Sequence, residues 1–287
     1  MPVLVVEVHH RAPTLDTEQL SLKIDNQLTA VLAQRPLGLI FDIDGTLSPI
    51  APTPEEARLY PGVAGLLEQV SHCEKVHVAI MTGREIEDGA KMVNVEGLTY
   101  IGTHGLEWSD GLPWRHPVQL AAGALDHVAP GKYLLDLVET HLERFPGVIV
   151  QRKRVGGSIH YRLAPDKAAT RERLLALLEE PARQVHMNLF EGKLIVEVRA
   201  PLAVDKGQAL RAFAERFATR GLVFAGDDRT DLDAIRAMQE LRQQGISAFS
   251  IVVQHADTLP ELLEQGDMVV EGVPEMADLL KKMVGML

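Results

Sequence analysis

Two aspartates separated by a single residue follow an apolar segment early in the chain. Asp42 and Asp44 come directly after Leu37–Phe41, and Gly45 follows them. Since side chains alternate along a strand, both carboxylates would point the same way at the carboxyl end of a predicted strand, where open α/β sheets bind ligands. Carboxylates this close repel each other unless a cation or a shared proton compensates, and Mg²⁺ is a natural partner for such oxygen donors. Taken alone, the pattern fits a solvated Asp-Gly turn equally well.

Further polar residues follow later apolar segments or open a predicted helix. Thr82 and Gly83 offer a hydroxyl and backbone amides at a helix start, which suits phosphate oxygens. Lys206 opens another predicted helix, where its ammonium could neutralise a phosphate. Three carboxylates stand at a later strand-to-helix turn: Asp227, Asp228 and Asp231. In this order the four groups predict a site for phosphate chemistry with a divalent cation, although Asp231 could instead cap its helix.

The four groups resemble, in order, the motifs of the haloacid dehalogenase superfamily of aspartyl phosphotransferases. A closer likeness, to trehalose-6-phosphate phosphatases, covers about residues 37–285. One departure is Leu232, where the family usually has a glutamate, and it puts in doubt a contact that would tune metal-bound waters. The closer likeness rests on four segments: Gly102–Glu107, Lys153 with His160–Arg162, Glu191–Lys193 and Glu197–Pro201.

The resemblance implies a catalytic role for the two acidic motifs. Asp42 would be the nucleophile, and Asp44 would act first as general acid and then as general base. Mg²⁺ would be held by Asp42, by the backbone carbonyl of Asp44 and by Asp227. Asp228 and Asp231 would orient metal-bound waters and the lysine that binds phosphate.

The resemblance also implies the residues that bind substrate. Thr82, Gly83 and Lys206 would hold the phosphoryl oxygens. Residues in the four segments that resemble trehalose-6-phosphate phosphatases would contact the sugar or its surroundings. They are His104, Glu107, Lys153, His160, Arg162, Glu191, Lys193 and Glu197.

The pattern of elements predicts an α/β fold with an insertion. Apolar runs of strand length alternate with helical periodicity in residues 37–112 and 200–287, which is typical of a parallel sheet covered by helices. Residues 113–199 instead repeat a helix followed by two β-rich runs. Together with the resemblance, this predicts a haloacid dehalogenase-like, Rossmannoid parallel-sheet core with an inserted αββαββ cap for substrate specificity. An amphipathic stretch in the N-terminal extension, residues 1–36, is expected to pack on the core, with a partner-binding role left open.

Composition limits the classes of partner. The net charge of −11 would repel a nucleic-acid backbone, and the apolar runs are too short to cross a membrane. The single cysteine, Cys73, cannot form an internal disulfide, and we interpret it as a surface or packing residue. Together with the resemblance, these features lead us to expect a cytoplasmic, monomeric protein whose partner is a small sugar phosphate.

Three functions remain open from the sequence. The first is a Mg²⁺-dependent phosphatase for trehalose 6-phosphate, and the second is a phosphatase or phosphomutase of the same architecture for another sugar phosphate. The third is a noncatalytic sugar-phosphate sensor, which the presence of both Asp42 and Asp44 disfavours because a binder has no use for an in-line nucleophile. A carboxylate and an ammonium together at Glu191 and Lys193 favour a sugar ligand, since phosphate alone would need only cations.

Overall fold

A mixed sheet forms the larger part of the fold. The computed structural model describes residues 26–287, and within them eight strands form this sheet. They are β1 (Leu37–Phe41), β2 (Val76–Met81), β3 (Thr99–Gly102), β4 (Glu107–Ser109), β5 (Gln119–Leu120), β10 (Gly221–Gly226), β11 (Ser247–Gln254) and β12 (Met268–Glu271). In the order β12-β11-β10-β1-β2-β3-β4-β5, the strands from β12 to β3 pair in parallel and the last two continue the sheet antiparallel. The carboxyl ends of β1, β2 and β10 therefore lie side by side.

Helices cover both faces of this sheet because its central strands are apolar on both sides. Along β1, Leu37, Leu39 and Phe41 join one apolar cluster, whereas Ile40 joins the other. Of the helices in residues 26–287, none has the length and apolarity needed to cross a membrane. The first cluster includes α1 (Val63–Ser71), α2 (Ile86–Val93) and α8 (Gly272–Val284), and the second includes α5 (Lys206–Arg216), α6 (Asp231–Gln243) and α7 (Pro260–Gln265).

A second, antiparallel sheet is inserted between β5 and α5. Its strands β6 (Ile149–Arg152), β7 (Gly157–His160), β8 (Asn188–Gly192) and β9 (Ile195–Arg199) lie in the order β6-β7-β9-β8. The helices α3 (Val128–Glu139) and α4 (Lys167–Gln184) pack on it through an apolar cluster of their own. The order α3-β6-β7-α4-β8-β9 confirms the predicted αββαββ pattern. We call this unit the cap and the remaining described residues the core.

The main differences from the sequence prediction lie at the sheet edge and in α4. The short strands β4 and β5 were not predicted, and β5 lies beyond the residue 113 border. Strands of two or three residues are too short to show a period, and these form by pairing successively with the edge of β3. The periodicity of this segment predicts a helix over residues 166–178, whereas α4 continues through Pro181 to Gln184.

The N-terminal extension is described only from residue 26. Residues 26–32 are helical, and Leu28, Val31 and Leu32 are buried in the first apolar cluster of the core. These three side chains lie at the end of the amphipathic stretch and contact the core. Leu20 and Ile24, which belong to the same predicted stretch, lie outside the described residues.

Candidate active site

A cavity of about 900 Å³ is lined by residues of both the core and the cap. It includes the loops that follow β1, β2 and β10, so the strand ends bring separate motifs together as expected. Thr82, Glu107 and Asp231 were predicted as site residues but do not line it. The predicted residues that do line it are Asp42, Asp44, Gly83, His104, Lys153, His160, Arg162, Glu191, Lys193, Glu197, Lys206, Asp227 and Asp228.

Asp42 and Lys206 form a buried ion pair at the centre of the strand ends. The backbone N–H of Asp42 still donates to the Ala225 carbonyl, 3.0 Å away, which fixes the residue at the end of the strand pairing. Lys206 Nζ lies 2.9 Å from Asp42 Oδ1 and 2.7 Å from Asp231 Oδ1, and its side chain is only 2% exposed. Burial raises the pKa of Asp42 to about 7 against the opposing effect of Lys206. Although burial acts to lower the pKa of Lys206, Asp231 and Asp42 raise it above its ordinary value, so the ammonium stays charged.

Three buried carboxylates converge beside this lysine. Oxygen atoms of Asp42, Asp227 and Asp231 lie within 4.8 Å of one another. Burial, and then the charges of Asp42 and Asp231, raise the pKa of Asp227 well above its ordinary value. Lys206 offers one positive charge against three carboxyl groups, so full ionisation of the cluster would leave excess negative charge that a cation would offset. Oxygen donors in this arrangement fit a hard divalent ion such as Mg²⁺.

Asp231 braces the loop that carries Asp227. Its Oδ2 accepts the backbone N–H groups of Asp227 and Asp228, each at 2.9 Å, while its Oδ1 accepts from Lys206. Thr230, and not Asp231, occupies the N-cap position of α6. The open alternative of a helix cap is therefore wrong, and the carboxylate instead holds Lys206 and the loop. The adjacent Leu232 lines the cavity and packs into the second apolar cluster.

The Asp44 carboxylate faces the cavity and is held by Arg84. The guanidinium donates from Nε to Oδ2 at 2.6 Å and from Nη2 to Oδ1 at 2.7 Å, while its Nη1 donates to the Pro54 carbonyl at 3.1 Å. Thr82 Oγ1 accepts the backbone N–H of Arg84 at 3.1 Å, so the predicted phosphate-binding threonine also supports this arginine. Arg84 was not predicted as a site residue, although it directly follows the Thr82-Gly83 motif.

A tight turn after β3 brings His104 to the cavity. Thr103 and His104 both have left-handed backbone angles, with φ of 48° and 58°. A Cβ at Gly83 would lie 2.6 Å from His104 Cε1, so only glycine leaves room for the ring. Arg199 Nη2 donates to His104 Nε2 at 2.8 Å, and burial lowers the pKa of His104 to about 4. The ring is therefore neutral near pH 7.

Glu197 is the shared acceptor of a hydrogen-bond network on the cap side of the cavity. Its carboxylate accepts hydrogen bonds from Lys153 Nζ at 3.0 Å, from Ser158 Oγ at 3.2 Å and from Arg199 Nε at 2.8 Å. Burial acts to raise its pKa, but Lys153, His104 and Arg199 hold the pKa well below its ordinary value. The result is a buried, charged network that joins the cap to the His104 turn.

Three other predicted contact residues have partners that the sequence did not indicate. His160 Nε2 lies 3.1 Å from Gln151 Oε1, and burial followed by the charge of Lys153 lowers its pKa to about 4. Glu191 is paired with Arg171 of α4, and Lys193 is paired with Asp257 of the core. Asp257 lies in a loop whose sequence shows no motif or periodicity. Only the fold therefore shows that the β8–β9 hairpin of the cap reaches it.

Glu107 lies apart from the cavity lining. Its side chain is fully buried, and its carboxylate accepts the Ile86 N–H at 2.8 Å and the Arg154 Nε–H at 3.0 Å. Its observed contacts therefore join the core to the cap.

His255 is a further residue of the core that was not predicted. Its Nε2–H donates to the Gly45 carbonyl at 2.7 Å, and Nε2 lies 3.7 Å from Asp227 Oδ2.

Comparisons with known proteins agree on one family. The family model described as trehalose-phosphatase matches residues 40–261. A trehalose-phosphate phosphatase of Mycobacterium avium (strain 104) is 33% identical over 234 residues, which are 79% of this chain and 56% of that protein. The chain thus spans about half the length of the curated relatives it matches.

Two solved structures described as trehalose-6-phosphate phosphatase or a related protein share the fold. A trehalose-6-phosphate phosphatase related protein is 26% identical, with a TM-score of 0.72 over 87% of this chain and 97% of that one. The C-terminal domain of C. albicans trehalose-6-phosphate phosphatase is 20% identical, with a TM-score of 0.77 over 98% and 100% of the two chains. The predicted haloacid dehalogenase-like fold, a parallel-sheet core with an αββαββ insertion, is confirmed. Since the family model covers most of the described chain and the mycobacterial relative shares a third of the aligned residues, this chain belongs to the trehalose-phosphatase family.

Proposed function

We propose that this chain hydrolyses trehalose 6-phosphate to trehalose and phosphate with the help of Mg²⁺. The observation that carries the proposal is the position of Asp42, a carboxylate paired with the buried Lys206 at the cavity floor and beside further acidic groups. A nucleophile for phosphorus needs such a cation to neutralise the phosphoryl oxygens. Membership of the trehalose-phosphatase family supports the same activity.

In the first step, an oxygen of Asp42 attacks phosphorus and the bond from phosphorus to the sugar oxygen breaks. Asp44 gives its proton to that oxygen, so trehalose leaves as an alcohol and an aspartyl phosphate remains on Asp42. Lys206 stabilises the charge on the phosphoryl oxygens, and the backbone amides at Gly83 offer further donors. Mg²⁺, which Asp42, Asp227 and the Asp44 carbonyl would hold, supplies additional charge neutralisation.

In the second step, Asp44 returns as a base. It takes a proton from a water molecule whose oxygen attacks phosphorus, the bond between phosphorus and Asp42 breaks, and inorganic phosphate is released. One carboxyl group thus serves both steps in opposite protonation states. In the structure, the bidentate contact with Arg84 holds that group at the cavity wall.

The cap supplies the groups that would recognise the disaccharide. Glu197, Lys153 and His160 line the cavity opposite the strand ends, and they combine acceptors with donors. Sugar hydroxyls need both kinds of partner, whereas a phosphate needs only donors. This mixture favours a sugar phosphate over a simple phosphate ester as the substrate.

The test is phosphate release by the purified chain from trehalose 6-phosphate, glucose 6-phosphate and sucrose 6-phosphate, with Mg²⁺ and after EDTA treatment. We expect the highest kcat/KM on trehalose 6-phosphate, loss of activity in EDTA and recovery when Mg²⁺ is added. Asp42→Asn, which is nearly isosteric but a poor nucleophile, should lower kcat by several orders of magnitude.

Each alternative has its own outcome. A higher kcat/KM on another sugar phosphate would replace the substrate assignment. Binding of trehalose 6-phosphate without any phosphate release would identify a sensor. Full activity in the metal-free protein would contradict the Mg²⁺ assignment.

A further inference from the structure

Arg154 anchors the turn between β6 and β7 of the cap to the core. Arg154 lies between β6 and β7, and its side chain donates from Nε to Glu107 Oε1 at 3.0 Å and from Nη2 to Glu87 Oε1. Its backbone N–H donates to Glu85 Oε1 at 2.7 Å. All three acceptors belong to the core, so these hydrogen bonds cross the boundary between the two units.

The three glutamates that receive Arg154 form a compact acidic trio. Oxygen atoms of Glu85, Glu87 and Glu107 lie within 4.8 Å of one another. Glu107 is fully buried and is fixed further by the Ile86 N–H at 2.8 Å. Burial, followed by the charge of Glu107, raises the pKa of Glu85. Carboxylates crowded in this way repel one another, and Arg154 supplies the compensating charge.

The residues beside Arg154 make the turn stiff. Val155 is 2% exposed and packs with Leu106 and Ala124 in a small apolar cluster. Gly156 has a left-handed φ of 76°, and a Cβ there would lie 2.0 Å from the Val198 carbonyl oxygen, so the backbone of β9 is in direct contact. The ionic contact and the apolar contact hold this turn to the core, and the close backbone contact holds it to β9 within the cap. The turn therefore has little freedom to move independently of the core.

The same turn carries a residue of the cavity. Lys153 precedes Arg154, is only 5% exposed and donates to Glu197, which also contacts the His104 turn of the core. A shift of Arg154 would therefore displace Lys153 and its partner Glu197 relative to the phosphate site.

We propose that Arg154 is a positioning residue for substrate recognition. By binding Glu85, Glu87 and Glu107, it fixes the turn from which Lys153 reaches Glu197. It thereby sets the position of these two cavity-lining residues of the cap relative to the strand ends. This role deepens the proposed function and rests on it. Arg154 itself does not line the cavity, so it acts through its neighbours.

Arg152 provides a matched control two residues away. It lies at the end of β6 and is also bound by acidic residues, but its partners Asp136 and Glu139 belong to α3 of the cap itself. Arg152 is about as exposed as Arg154, so Arg152→Gln removes the ion pairs of a comparable arginine without touching the boundary between cap and core. Arg154→Gln removes the contacts across that boundary.

The kinetic test compares trehalose 6-phosphate with 4-nitrophenyl phosphate, which offers no sugar to the cap. We expect Arg154→Gln to lower kcat/KM on trehalose 6-phosphate by about 10-fold to 100-fold, since small displacements of positioning groups are costly, and to change the aryl phosphate rate less than about 3-fold. Arg154→Lys, which keeps the charge, should recover part of the loss. Arg152→Gln should leave both rates near those of the unaltered chain.

A structural readout accompanies the kinetics. Hydrogen–deuterium exchange of residues 153–156 should accelerate in Arg154→Gln and stay unchanged in Arg152→Gln. If Arg154→Gln fails to fold, Glu87→Gln removes one member of the trio at a partly exposed position and is expected to give the same two results.

Two outcomes would overturn the proposal. One is an equal loss on both substrates, which would assign Arg154 to overall stability, and the other is unchanged exchange at the turn. The proposed function fails in a different way, if the unaltered chain does not hydrolyse trehalose 6-phosphate. In that case the exchange of residues 153–156 still shows whether Arg154 anchors the turn.

Discussion

At the scale of single side chains, Arg84 decides where the Asp44 carboxylate points. It is the one side chain among residues 26–287 that hydrogen-bonds this carboxylate, and it uses two parallel hydrogen bonds to do so. Such a fork fixes both the position and the plane of a carboxyl group, which a lysine ammonium cannot do. The proposed proton transfer to the sugar oxygen therefore depends on a residue that does not itself react.

We expect Arg84→Gln to lower kcat on trehalose 6-phosphate by about 10²-fold, because a poorly oriented Asp44 transfers its proton poorly. The first-turnover burst with 4-nitrophenyl phosphate should fall much less, since nitrophenolate leaves without a proton. Rapid-quench kinetics on both substrates check this difference, with Arg211→Gln, at an exposed ion pair with Glu240, as the control. A rise in KM on both substrates with unchanged kcat would instead make Arg84 a phosphate ligand.

His104 links the stability of the fold to pH. Burial lowers its pKa to about 4, whereas an unfolded histidine titrates near 6.5. As the pH falls below about 6.5, the unfolded state takes up the proton first, and this stabilises it relative to the folded state. The contribution of His104 to stability is therefore full at neutral pH and is lost as the pH falls toward 4.

We expect the free energy of unfolding of the unaltered chain to decrease more steeply between pH 7 and pH 4 than that of His104→Gln. Between pH 7 and pH 4, the unaltered chain should lose roughly 2 to 3 kcal/mol more unfolding free energy than His104→Gln. Urea titrations at several pH values measure it. Parallel curves for the two proteins would show that this histidine does not stay neutral in the folded state.

At the scale of elements, the β8–β9 hairpin reaches from the cap to the rim of the cavity. Glu191, at the end of β8, is held by Arg171 of α4, with Nη2 to Oε1 at 2.8 Å, and so is oriented within the cap. Lys193, on the other side of Gly192, is paired with Asp257 of the core. The hairpin tip thus combines an acceptor fixed by the cap with a donor that touches the core.

We expect Glu191→Ala to lower kcat/KM on trehalose 6-phosphate by about 10²- to 10³-fold, as for lost hydrogen bonds to sugar hydroxyls together with incomplete closure. Hydrolysis of 4-nitrophenyl phosphate should change little, because it offers no hydroxyls. Steady-state kinetics on both substrates check this, with Glu179→Ala on the exposed side of α4 as the control. Similar losses on both substrates would assign Glu191 to the fold or to the chemistry.

At the scale of the whole molecule, buried negative charge at the strand ends opposes folding. Asp42, Asp227 and Asp231 come from two distant parts of the chain and meet only when β1 and β10 pair. A divalent cation that binds this cluster in the folded state alone would stabilise the entire core, because the unfolded chain has no such site.

We expect Mg²⁺ at about 100 times its dissociation constant to raise the melting temperature by roughly 5 °C. Asp227→Asn, which weakens one ligand, should reduce or abolish the shift. Differential scanning calorimetry with and without Mg²⁺ measures both effects in the absence of substrate. An equal shift in the variant would place the ion elsewhere.

The sequence alone determined which groups would meet at the sheet edge. Asp42, Thr82 and Asp227 each follow an apolar strand of a parallel sheet, and parallel strands share one carboxyl edge, so their proximity follows from local patterns and chain order. The αββαββ insertion also followed from local periodicity. Cytoplasmic location, monomeric state and the substrate contacts proposed for individual cap residues stay predictions, and any role of residues 1–25 lies outside the described residues.

The tertiary structure alone decided how these groups are held. Arg84 meets Asp44 across 40 positions, Lys193 meets Asp257 across 64, and Arg154 meets Glu87 across 67. Charged surface residues carry no periodic signal that identifies their partners, and each could pair with many others of opposite sign. Only tertiary packing selects the pairs that form: packing within the core brings Arg84 to Asp44, and packing of the cap against the core brings together the other two pairs. For the same reason, the sequence could name Glu107 as a site residue, while only the fold showed that it binds the cap through Arg154.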